Sequence, residues 1–264
     1  MARGSRSPQA STAPSGRFRT RITQLDPRWL GGEVWGFHQD GRLVSACHAA
    51  ANLVPVQATP DALVAFAERA VAQRRSCATI VGPSDTVGRL WQHLAPHWAA
   101  PRELRWNQPH LQIASAPAVA PDPLVRRTGP ADIDVLYPAC VAMYTEEVGV
   151  SPEVGGGGDL YRARVAQLVA KGWSFARIED GRVVFKAEVA AASPYACQVQ
   201  GVYVDPDRRG QGLAAAGMAA VVELALHDIA PVVSLYVNEH NLAARKAYAR
   251  AGFEDAGTFS TIMF

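Results

Sequence analysis

Residues Gln200-Gly-Val-Tyr-Val-Asp-Pro-Asp-Arg-Arg-Gly-Gln-Gly-Leu-Ala214 decide the fold of this chain. They predict a strand of β-branched residues, a turn at the proline, an arginine loop with spaced glycines, and a helix that continues through the apolar segment Ala215–His227. Backbone N–H groups at such a helix N-terminus can bind a pyrophosphate. Gly210 and Gly212 allow the main chain to approach the anion closely, and Arg209 adds positive charge beside it.

A glycine-spaced turn is not specific by itself, because it also fits a plain turn before a helix. It is neither a P-loop nor a full dinucleotide fingerprint. A second segment adds information: Val232-Val-Ser-Leu-Tyr-Val237 predicts a strand, and the helix after it begins at Asn241 and ends at Gly252. Asn241, Ala244 and Tyr248 recur at helical spacing and therefore share one face of that helix.

The two segments together resemble the GNAT superfamily of acyl-CoA-dependent N-acetyltransferases. The resemblance is carried by Arg209-x-x-Gly212-x-Ala214 and by Asn241-x6-Tyr248-x3-Gly252-Phe253. It covers roughly residues 125–264. One departure is mild, since the last loop position is Ala214 rather than glycine, a substitution common in the family.

The resemblance implies that the strand before the loop splays from its neighbour and that the pantetheine arm of acetyl-CoA, the co-substrate, lies in the gap. The main chain of the strand would pair with that arm, the loop would hold the pyrophosphate, and the last helix would contact the coenzyme near its sulfur. No metal is expected. The implied coenzyme-binding residues are Val202, Tyr203, Val204, Arg209, Gly210, Gln211, Gly212, Leu213, Ala214, Asn241 and Tyr248.

The implied reaction is direct attack of a neutral primary amine on the acetyl thioester. The acceptor is a small amine, a protein N-terminus or a lysine. A main-chain N–H near Val202 would donate to the oxyanion, and the phenol of Tyr248 would protonate or hydrogen-bond the sulfur. The alternative for Tyr248 is a core residue with a satisfied hydroxyl.

The general base is harder to assign, because the strand before the loop carries glutamines and no carboxylate. Lys186 and Glu188 lie two apart on the predicted strand Val183–Val189 and share a face, which makes Glu188 a catalytic candidate. An exposed cross-strand ion pair is the alternative interpretation. Glu146 and Glu147, at the end of a predicted helix, or a chain of waters are further options, so the base stays open.

Composition agrees with a folded enzyme. The chain has 264 residues, of which 48% are hydrophobic and 19% charged, which is enough for a large core. It has no apolar run of about 20 residues, and its N-terminal arginines are not followed by an apolar segment, so we expect a cytoplasmic protein without a membrane partner. Four cysteines without a C-x-x-C pair predict reduced, buried thiols rather than zinc ligands.

Charge is unevenly distributed. Residues 1–128 carry +7 and residues 129–264 carry −5. Much of the positive charge lies in residues 1–21, a Ser/Pro/Ala-rich segment that predicts a disordered basic tail, and we expect no nucleic-acid partner for the folded part. The acidic second half suits a cationic amine acceptor. Oligomeric state is not predicted.

The first half repeats features of the second. Trp35-Gly-Phe37 followed by Asp40-Gly-Arg-Leu-Val44 parallels Trp173-Ser-Phe175 followed by Asp180-Gly-Arg-Val-Val184, and the predicted order of strands and helices recurs. An internal duplication explains this pattern, and two chance hairpins are the alternative. The expected fold is α/β (α+β): a GNAT fold with a mixed, mostly antiparallel sheet flanked by helices, in two tandem GNAT-like domains at residues 22–120 and 125–264.

Only the second domain is expected to bind the coenzyme, because Gln57-Ala-Thr-Pro-Asp-Ala62 lacks both glycines and arginine. The glycine-rich loop Gly149–Gly158 corresponds to a loop that borders the acceptor site in the superfamily. Its glycines predict a mobile segment, and a flexible surface connection without a function is the alternative.

Two functions stay open. One is an N-acetyltransferase, and the other is a non-catalytic acyl-CoA-binding sensor or regulatory protein.

Overall fold

The computed structural model describes residues 32–264. These residues form two compact units: the N-terminal unit comprises the described residues up to Trp106 together with Ser260–Phe264, and the C-terminal unit comprises Asn107–Phe259. The predicted basic tail, residues 1–21, lies outside the described residues. No helix within residues 32–264 is both long enough and apolar enough to cross a bilayer.

The N-terminal unit begins with an antiparallel hairpin of β1 (Glu33–Gln39) and β2 (Arg42–Ala49). Asp40 and Gly41 form its turn with φ values of 51° and 77°, because a two-residue hairpin turn needs two left-handed residues. The unit continues with β3 (Asn52–Val56), α1 (Pro60–Ala72), β4 (Thr79–Pro83) and α2 (Ser84–Leu94).

Strands of the N-terminal unit lie in the order β1-β2-β3-β4. The β1–β2 and β2–β3 pairs are antiparallel, whereas β3 and β4 are parallel and joined through α1. The end of the chain lies beside β4, where the N–H of Phe264 donates to the carbonyl of Ala78 at 3.0 Å. Helices α1 and α2 bury their apolar sides in a core that includes Trp35, Phe66 and Leu90.

The C-terminal unit contains the remaining elements in an α/β arrangement, except for the first residues of β5, up to Trp106, and the last residues of β11, from Ser260, which are counted with the N-terminal unit. In chain order they are β5 (Glu103–Ile113), β6 (Arg126–Arg127), α3 (Ile133–Val148), α4 (Gly158–Ala170), β7 (Ser174–Glu179), β8 (Arg182–Ala192), β9 (Cys197–Val204), α5 (Leu213–Asp228), β10 (Val233–Tyr236), α6 (Leu242–Ala251) and β11 (Glu254–Met263). The strand order is β11-β5-β10-β9-β8-β7-β6. Pairing is antiparallel at β6–β7, β7–β8, β8–β9 and β5–β10 and parallel at β9–β10, so the predicted mixed, mostly antiparallel sheet is confirmed.

The two faces of this sheet have different coverings. On one face, Phe185, Val199 and Leu235 pack in the main core with residues of α5 and α6. On the other face, Leu136 of α3 and Val169 of α4 pack in a smaller cluster over β7 and β8. Side chains on a strand alternate between faces, so each strand contributes to both layers.

The repeated element order is confirmed. Strands β1, β2, β3, helix α1 and strand β4 have the same order and pairing directions as β7, β8, β9, α5 and β10. Even the hairpin turns match, because Asp180 and Gly181 adopt φ values of 48° and 71°. The four cysteines are buried and unbonded, as predicted.

Candidate active site

The loop before α5 is built from glycines in the left-handed conformation. Gly210 and Gly212 have φ values of 78° and 81°, which side chains rarely adopt. Gly212 precedes the first residue of α5, and no side chain caps that helix. Within the described part of the chain, no acceptor faces the N–H groups of residues 210–214. The loop therefore presents a set of unpaired amide donors.

Space in front of these amides is open. A Cβ placed on Gly210 or Gly212 would have no atom of the described residues within 4 Å. A bulkier residue would consequently project into the space that a bound anion needs. The amides, the free helix N-terminus and the open surface fit a pyrophosphate, which is the fit that the sequence predicted for this loop.

Ion pairs and a hydrogen bond fix the segment Asp205–Arg208, which leads into the loop. The buried carboxylate of Asp205 accepts from the N–H of Asp207 at 3.0 Å and from Arg182 Nη2 at 3.0 Å. Arg208 Nη1 donates to Glu179 at 2.8 Å. These contacts make Asp205 and Arg208 part of the framework that holds the loop.

Arg209 lies in the predicted loop, but its guanidinium is occupied by protein groups. Its Nε donates to the carbonyl of Val204 at 3.1 Å, and its Nη1 and Nη2 donate to the two carboxylate oxygens of Glu146 at 3.0 and 2.7 Å. Glu146, an alternative for the general base in the sequence analysis, is therefore the partner of this arginine.

Strands β9 and β10 separate early. Their parallel pairing covers Cys197 with Val233 and Gln198 with Ser234. Beyond Gln198, β9 continues to Val204 and pairs with β8 but not with β10 among the described residues. The segment Val202–Val204, which the sequence assigned to the pantetheine arm, thus borders the gap between the two strands.

Strand β9 has a β-bulge at Gly201 in its pairing with β8. Between Lys186 and Glu188 of β8, which are opposite Tyr203 and Gln200, β9 has one extra residue. Gly201 has φ 61°, and an added Cβ would lie 3.0 Å from Glu188 Cδ and 3.1 Å from Met143 Cε. Only glycine fits here, so the backbone and the Glu188 carboxyl lie in close contact.

Glu188 and Lys186 form a buried pair under the bulge. Their side chains are 10% and 2% exposed, and Lys186 Nζ lies 3.0 Å from Glu188 Oε2. Gln200 Nε2 donates to Glu188 Oε1 at 3.0 Å. Burial lowers the pKa of Lys186, but the charge of Glu188 and the contact with Cys140 outweigh it, so the pKa is raised. The exposed cross-strand interpretation of this pair is wrong.

Tyr161 of α4 lies near Glu188 and belongs to a cluster with two tyrosines of α3. The hydroxyl of Tyr161 donates to the carbonyl of Cys140 at 3.0 Å, and its ring lies 5.3 Å from Tyr144 and 6.1 Å from Tyr137, centroid to centroid. Burial raises the pKa of Tyr161, and the charge of Glu188 adds to this effect. The sequence analysis missed this cluster, because residues from two separate helices meet only in the folded unit.

Tyr248 and Asn241 lie on α6 as predicted. The Asn241 side chain accepts from the N–H of Ala244 at 3.1 Å and so caps the helix. Tyr248 is 6% exposed and packs near Phe253 at 5.9 Å between centroids. Its hydroxyl has no hydrogen-bond partner among the described residues. The hydroxyl oxygen is nevertheless not completely buried. Burial, followed by the charge of Glu147, raises the pKa of Tyr248.

The corresponding turn of the N-terminal unit is closed to an anion. Thr59 caps α1 through a hydrogen bond from the N–H of Ala62 at 3.3 Å, Pro60 has no N–H, and Asp61 adds a negative charge. Within residues 32–264, no group of three or more His, Cys, Asp or Glu side chains could hold a metal ion.

Known proteins share both parts of this architecture. Residues 170–253 match the sequence model of the acetyltransferase (GNAT) family, and residues 32–136 match a domain of unknown function (DUF4081). A GNAT-family acetyltransferase structure from Colwellia psychrerythraea has 17% identity and a TM-score of 0.55, covering 93% of this chain and 92% of that one. No curated protein sequence matches the chain.

Two further structures show the same fold. A GCN5-related N-acetyltransferase from Sphaerobacter thermophilus has 17% identity and a TM-score of 0.57, with 91% of this chain and 82% of that one covered. A tandem GNAT protein from the clavulanic acid biosynthesis pathway has 15% identity and a TM-score of 0.51, with 88% and 82% covered. The fold and the loop are those of a GNAT-type domain, which follows a unit with the same order of strands and helices but without the glycine loop. The match to the acetyltransferase (GNAT) family model is confined to residues 170–253, within the C-terminal unit.

Proposed function

We propose that this protein is an N-acetyltransferase that transfers an acetyl group from acetyl-CoA to a primary amine. One observation carries the proposal: a loop of unpaired amides stands at the end of a strand that separates from its neighbour, with a buried carboxylate beside the gap. The match of residues 170–253 to an acetyltransferase family model supports acyl transfer. The acceptor class is our inference from the charge and chemistry of the site.

Residues of the loop and the splayed strand would hold the coenzyme. The amides of residues 210–214 would bind the pyrophosphate, Arg209 would exchange Glu146 for phosphate oxygens, and the main chain at Val202–Val204 would pair with the pantetheine arm. The side-chain amide nitrogen of Asn241 remains available for a further contact, since only its oxygen caps α6. When bound, acetyl-CoA supplies an acyl group activated as a thioester.

Glu188 is the best candidate for the base. Its carboxylate contacts the bulge at Gly201, next to the gap, and accepts a hydrogen bond from Lys186 Nζ at 3.0 Å. The amine enters as an ammonium ion and must lose one proton before it attacks, and Glu188 would accept that proton directly or through one water. The Gly201 bulge would aim main-chain N–H groups at the developing oxyanion.

Tyr248 is the candidate acid. Its raised pKa keeps the phenol protonated well into alkaline solution, and its hydroxyl is left without a protein acceptor among the described residues. The group can therefore donate its proton at the departing sulfur. The open alternative of a core tyrosine with a satisfied hydroxyl is less well supported by this geometry.

One observation favours the second candidate function, a non-catalytic acyl-CoA-binding sensor. Both carboxylate oxygens of Glu188 already accept hydrogen bonds, from Lys186 and from Gln200, which would hinder a base. A non-catalytic acyl-CoA sensor would need the loop and the gap but no proton acceptor. Both functions require binding of acetyl-CoA, but only the enzyme would transfer the acetyl group and release free thiol.

The test measures coenzyme affinity and thiol release separately. We expect Arg209→Gln and Gly212→Val to weaken binding of acetyl-CoA in calorimetry, whereas Glu188→Gln keeps that affinity and lowers amine-dependent thiol release about 10²- to 10⁴-fold. Glu223→Gln, an exposed carboxylate change on α5, is the control. Tight binding without turnover for any amine would favour the sensor, and unchanged affinity in both loop variants would refute the loop assignment.

A further inference from the structure

A cavity of about 460 Å³ lies in the C-terminal unit, at the end of α5 that is away from the glycine loop. Its walls are Arg127 of β6, the turn between α4 and β7, the residues that follow β8, and the C-terminal end of α5. Helix α5 has 16 residues and is therefore about 24 Å long. The cavity is thus separate from the loop proposed for the coenzyme, and its volume suits a small molecule.

The corresponding place in the N-terminal unit is nearly filled. There the end of α1, the end of β2 and Trp35 of β1 enclose only about 10 Å³, and Gln73 and Trp98 line this small space. Strands β1 and β2 and helix α1 have the positions of β7, β8 and α5 in the repeated order. The open cavity is therefore a property of the C-terminal unit rather than of the topology that the two units share.

Two donors in the cavity wall have no acceptor in the protein. Lys171 Nζ lies 4.7 Å from the centroid of the Trp173 ring, and no carboxylate of residues 32–264 pairs with it. The indole N–H of Trp173 is likewise without an acceptor in this part of the chain, and its nitrogen is not completely buried. Both groups can consequently donate to an anion that enters the cavity.

Arg127 adds a guanidinium whose donors are only partly used. Its Nη1 pairs with Asp228 Oδ2 at 2.7 Å, and its Nη2 donates to the carbonyl of Leu224 at the long distance of 3.4 Å. Its Nε is buried and has no acceptor among the described residues. Arg127 therefore offsets the negative charge of Asp228 and of the α5 C-terminus, which would otherwise repel an anion.

Charge and lining favour a carboxylate over a phosphate. Two cations, Lys171 and Arg127, and one carboxylate, Asp228, leave the cavity with a net charge of +1. One carboxylate group balances this charge, whereas a phosphate monoester carries about −1.5 to −2 near pH 7 and would be repelled by Asp228. The remaining wall includes the apolar side chains Ala192, Pro194 and Ile229, which suit an aliphatic body.

We infer that this cavity binds a small organic carboxylate with an apolar body. Its carboxylate oxygens would accept from Lys171 Nζ and from the indole N–H of Trp173, and its body would pack against the apolar wall. The site is additional to the coenzyme site, and the inference does not rest on acetyl transfer.

Two ligands of matched shape test the inference. Hexanoate and hexanamide share one chain, and only hexanoate is charged. Binding is followed by NMR at the tryptophan side-chain N–H signals of the full ¹⁵N-labelled chain, which has six tryptophans, and Trp173→Phe identifies the signal of Trp173. We expect hexanoate to shift that signal with a Kd at least about 10-fold lower than hexanamide, the range for a hydrogen bond to a charged group.

Variants separate the charge of the cavity from its space. Lys171→Met should remove the preference for hexanoate, whereas Lys246→Met, at an exposed lysine of α6, should preserve it. Ala192→Leu keeps every charge but narrows the cavity, and it should weaken hexanoate binding severalfold. The dispersion of the other tryptophan signals shows in each case that the variant is folded.

Three results would overturn the inference. They are an unshifted Trp173 signal with hexanoate, equal affinities for hexanoate and hexanamide, and a hexanoate affinity that is unchanged in both Lys171→Met and Ala192→Leu. Tighter binding of hexyl phosphate than of hexanoate would also overturn it, because the cavity would then prefer a dianion. Thiol release from acetyl-CoA is measured separately, so failure of the proposed function leaves these outcomes unaffected.

Discussion

Arg209 and Glu146 form a bidentate ion pair that joins the loop before α5 to the end of α3, with N–O distances of 3.0 and 2.7 Å. Both side chains are about half exposed, so the pair contributes little to stability. Under the proposed function, Glu146 competes with the coenzyme for Arg209, because the guanidinium that faces Glu146 is the group expected to bind phosphate. Coenzyme binding would then release Glu146 close to the start of the glycine-rich loop Gly149–Gly158.

Removing the competing carboxylate should strengthen coenzyme binding. We expect Glu146→Gln to lower the Kd for coenzyme A about 2- to 5-fold, the range for an exposed ion pair, measured by calorimetry at low salt. Glu223→Gln is again the charge-matched control. A weaker Kd for Glu146→Gln would show that Glu146 supports the loop rather than competing for its arginine.

Tyr248 should make the stability of the C-terminal unit sensitive to alkali. Its pKa is raised in the folded chain above the ordinary value of 10.0, so the folded state retains a proton that the unfolded chain loses above pH 10. This contribution is complete below pH 10 and is lost as the pH rises further. Urea midpoints between pH 8 and 11 should fall less steeply for Tyr248→Phe than for wild type, with Tyr195→Phe as control. Identical slopes would argue against the burial of the phenol.

The same substitution tests the acid role. Tyr248→Phe should bind coenzyme A normally and release thiol about 10²-fold more slowly at pH 8, because the departing sulfur loses its proton donor. Equal turnover in the two proteins would remove Tyr248 from the chemistry and leave it as a core residue.

The buried Lys186–Glu188 pair should show strong coupling in stability. Lys186→Met leaves an unpaired buried carboxylate and should lower the free energy of unfolding by about 3–5 kcal/mol. Adding Glu188→Leu removes that carboxylate and should restore most of the loss, as urea unfolding of both variants can show. If the double variant is as unstable as the two single changes combined, the two side chains act independently.

Substitution of Gly201 should slow acetyl transfer more than its left-handed conformation alone explains. Gly201→Ala introduces a methyl group against Glu188 and Met143, in addition to a left-handed penalty of about 1–2 kcal/mol. Gly181→Ala has a similar φ, 71°, but open space, so it isolates the conformational penalty. We expect Gly201→Ala to reduce thiol release severalfold beyond the control, and equal losses would place the Glu188 carboxyl away from the chemistry.

The sequence predicted the parts of this fold that have local signals. The Asp-Gly hairpins, the glycine-spaced loop and the helix that ends at Gly252 each depend on backbone conformations that few residues adopt. The residue pattern of Ser84–Leu94 predicts helix α2 with the bounds it has. The apolar run Cys77–Val81 predicts a strand that begins two residues before the observed β4, Thr79–Pro83. The short apolar run there gives no sharp start signal.

Strands β5, β6 and β11 were not predicted. The first contains Pro109 within a largely polar sequence, β6 has only two residues, and β11 opens with the exposed stretch Glu254–Gly257. Their pairing depends on distant strands, which a local pattern cannot show. The one local signal near Glu188 was a glycine inside a β-branched strand, Gly201, which is typical of a bulge.

Burial of the four cysteines has a practical result for these measurements. Burial raises the pKa of Cys47 to about 12 and that of Cys197 to about 11, and it also raises the pKa of Cys77 and Cys140. Thiolates are the reactive form towards aromatic disulfide reagents, so the native chain should react with them only slowly. A colorimetric reading at neutral pH would then report the liberated coenzyme almost alone, with little background from the enzyme itself.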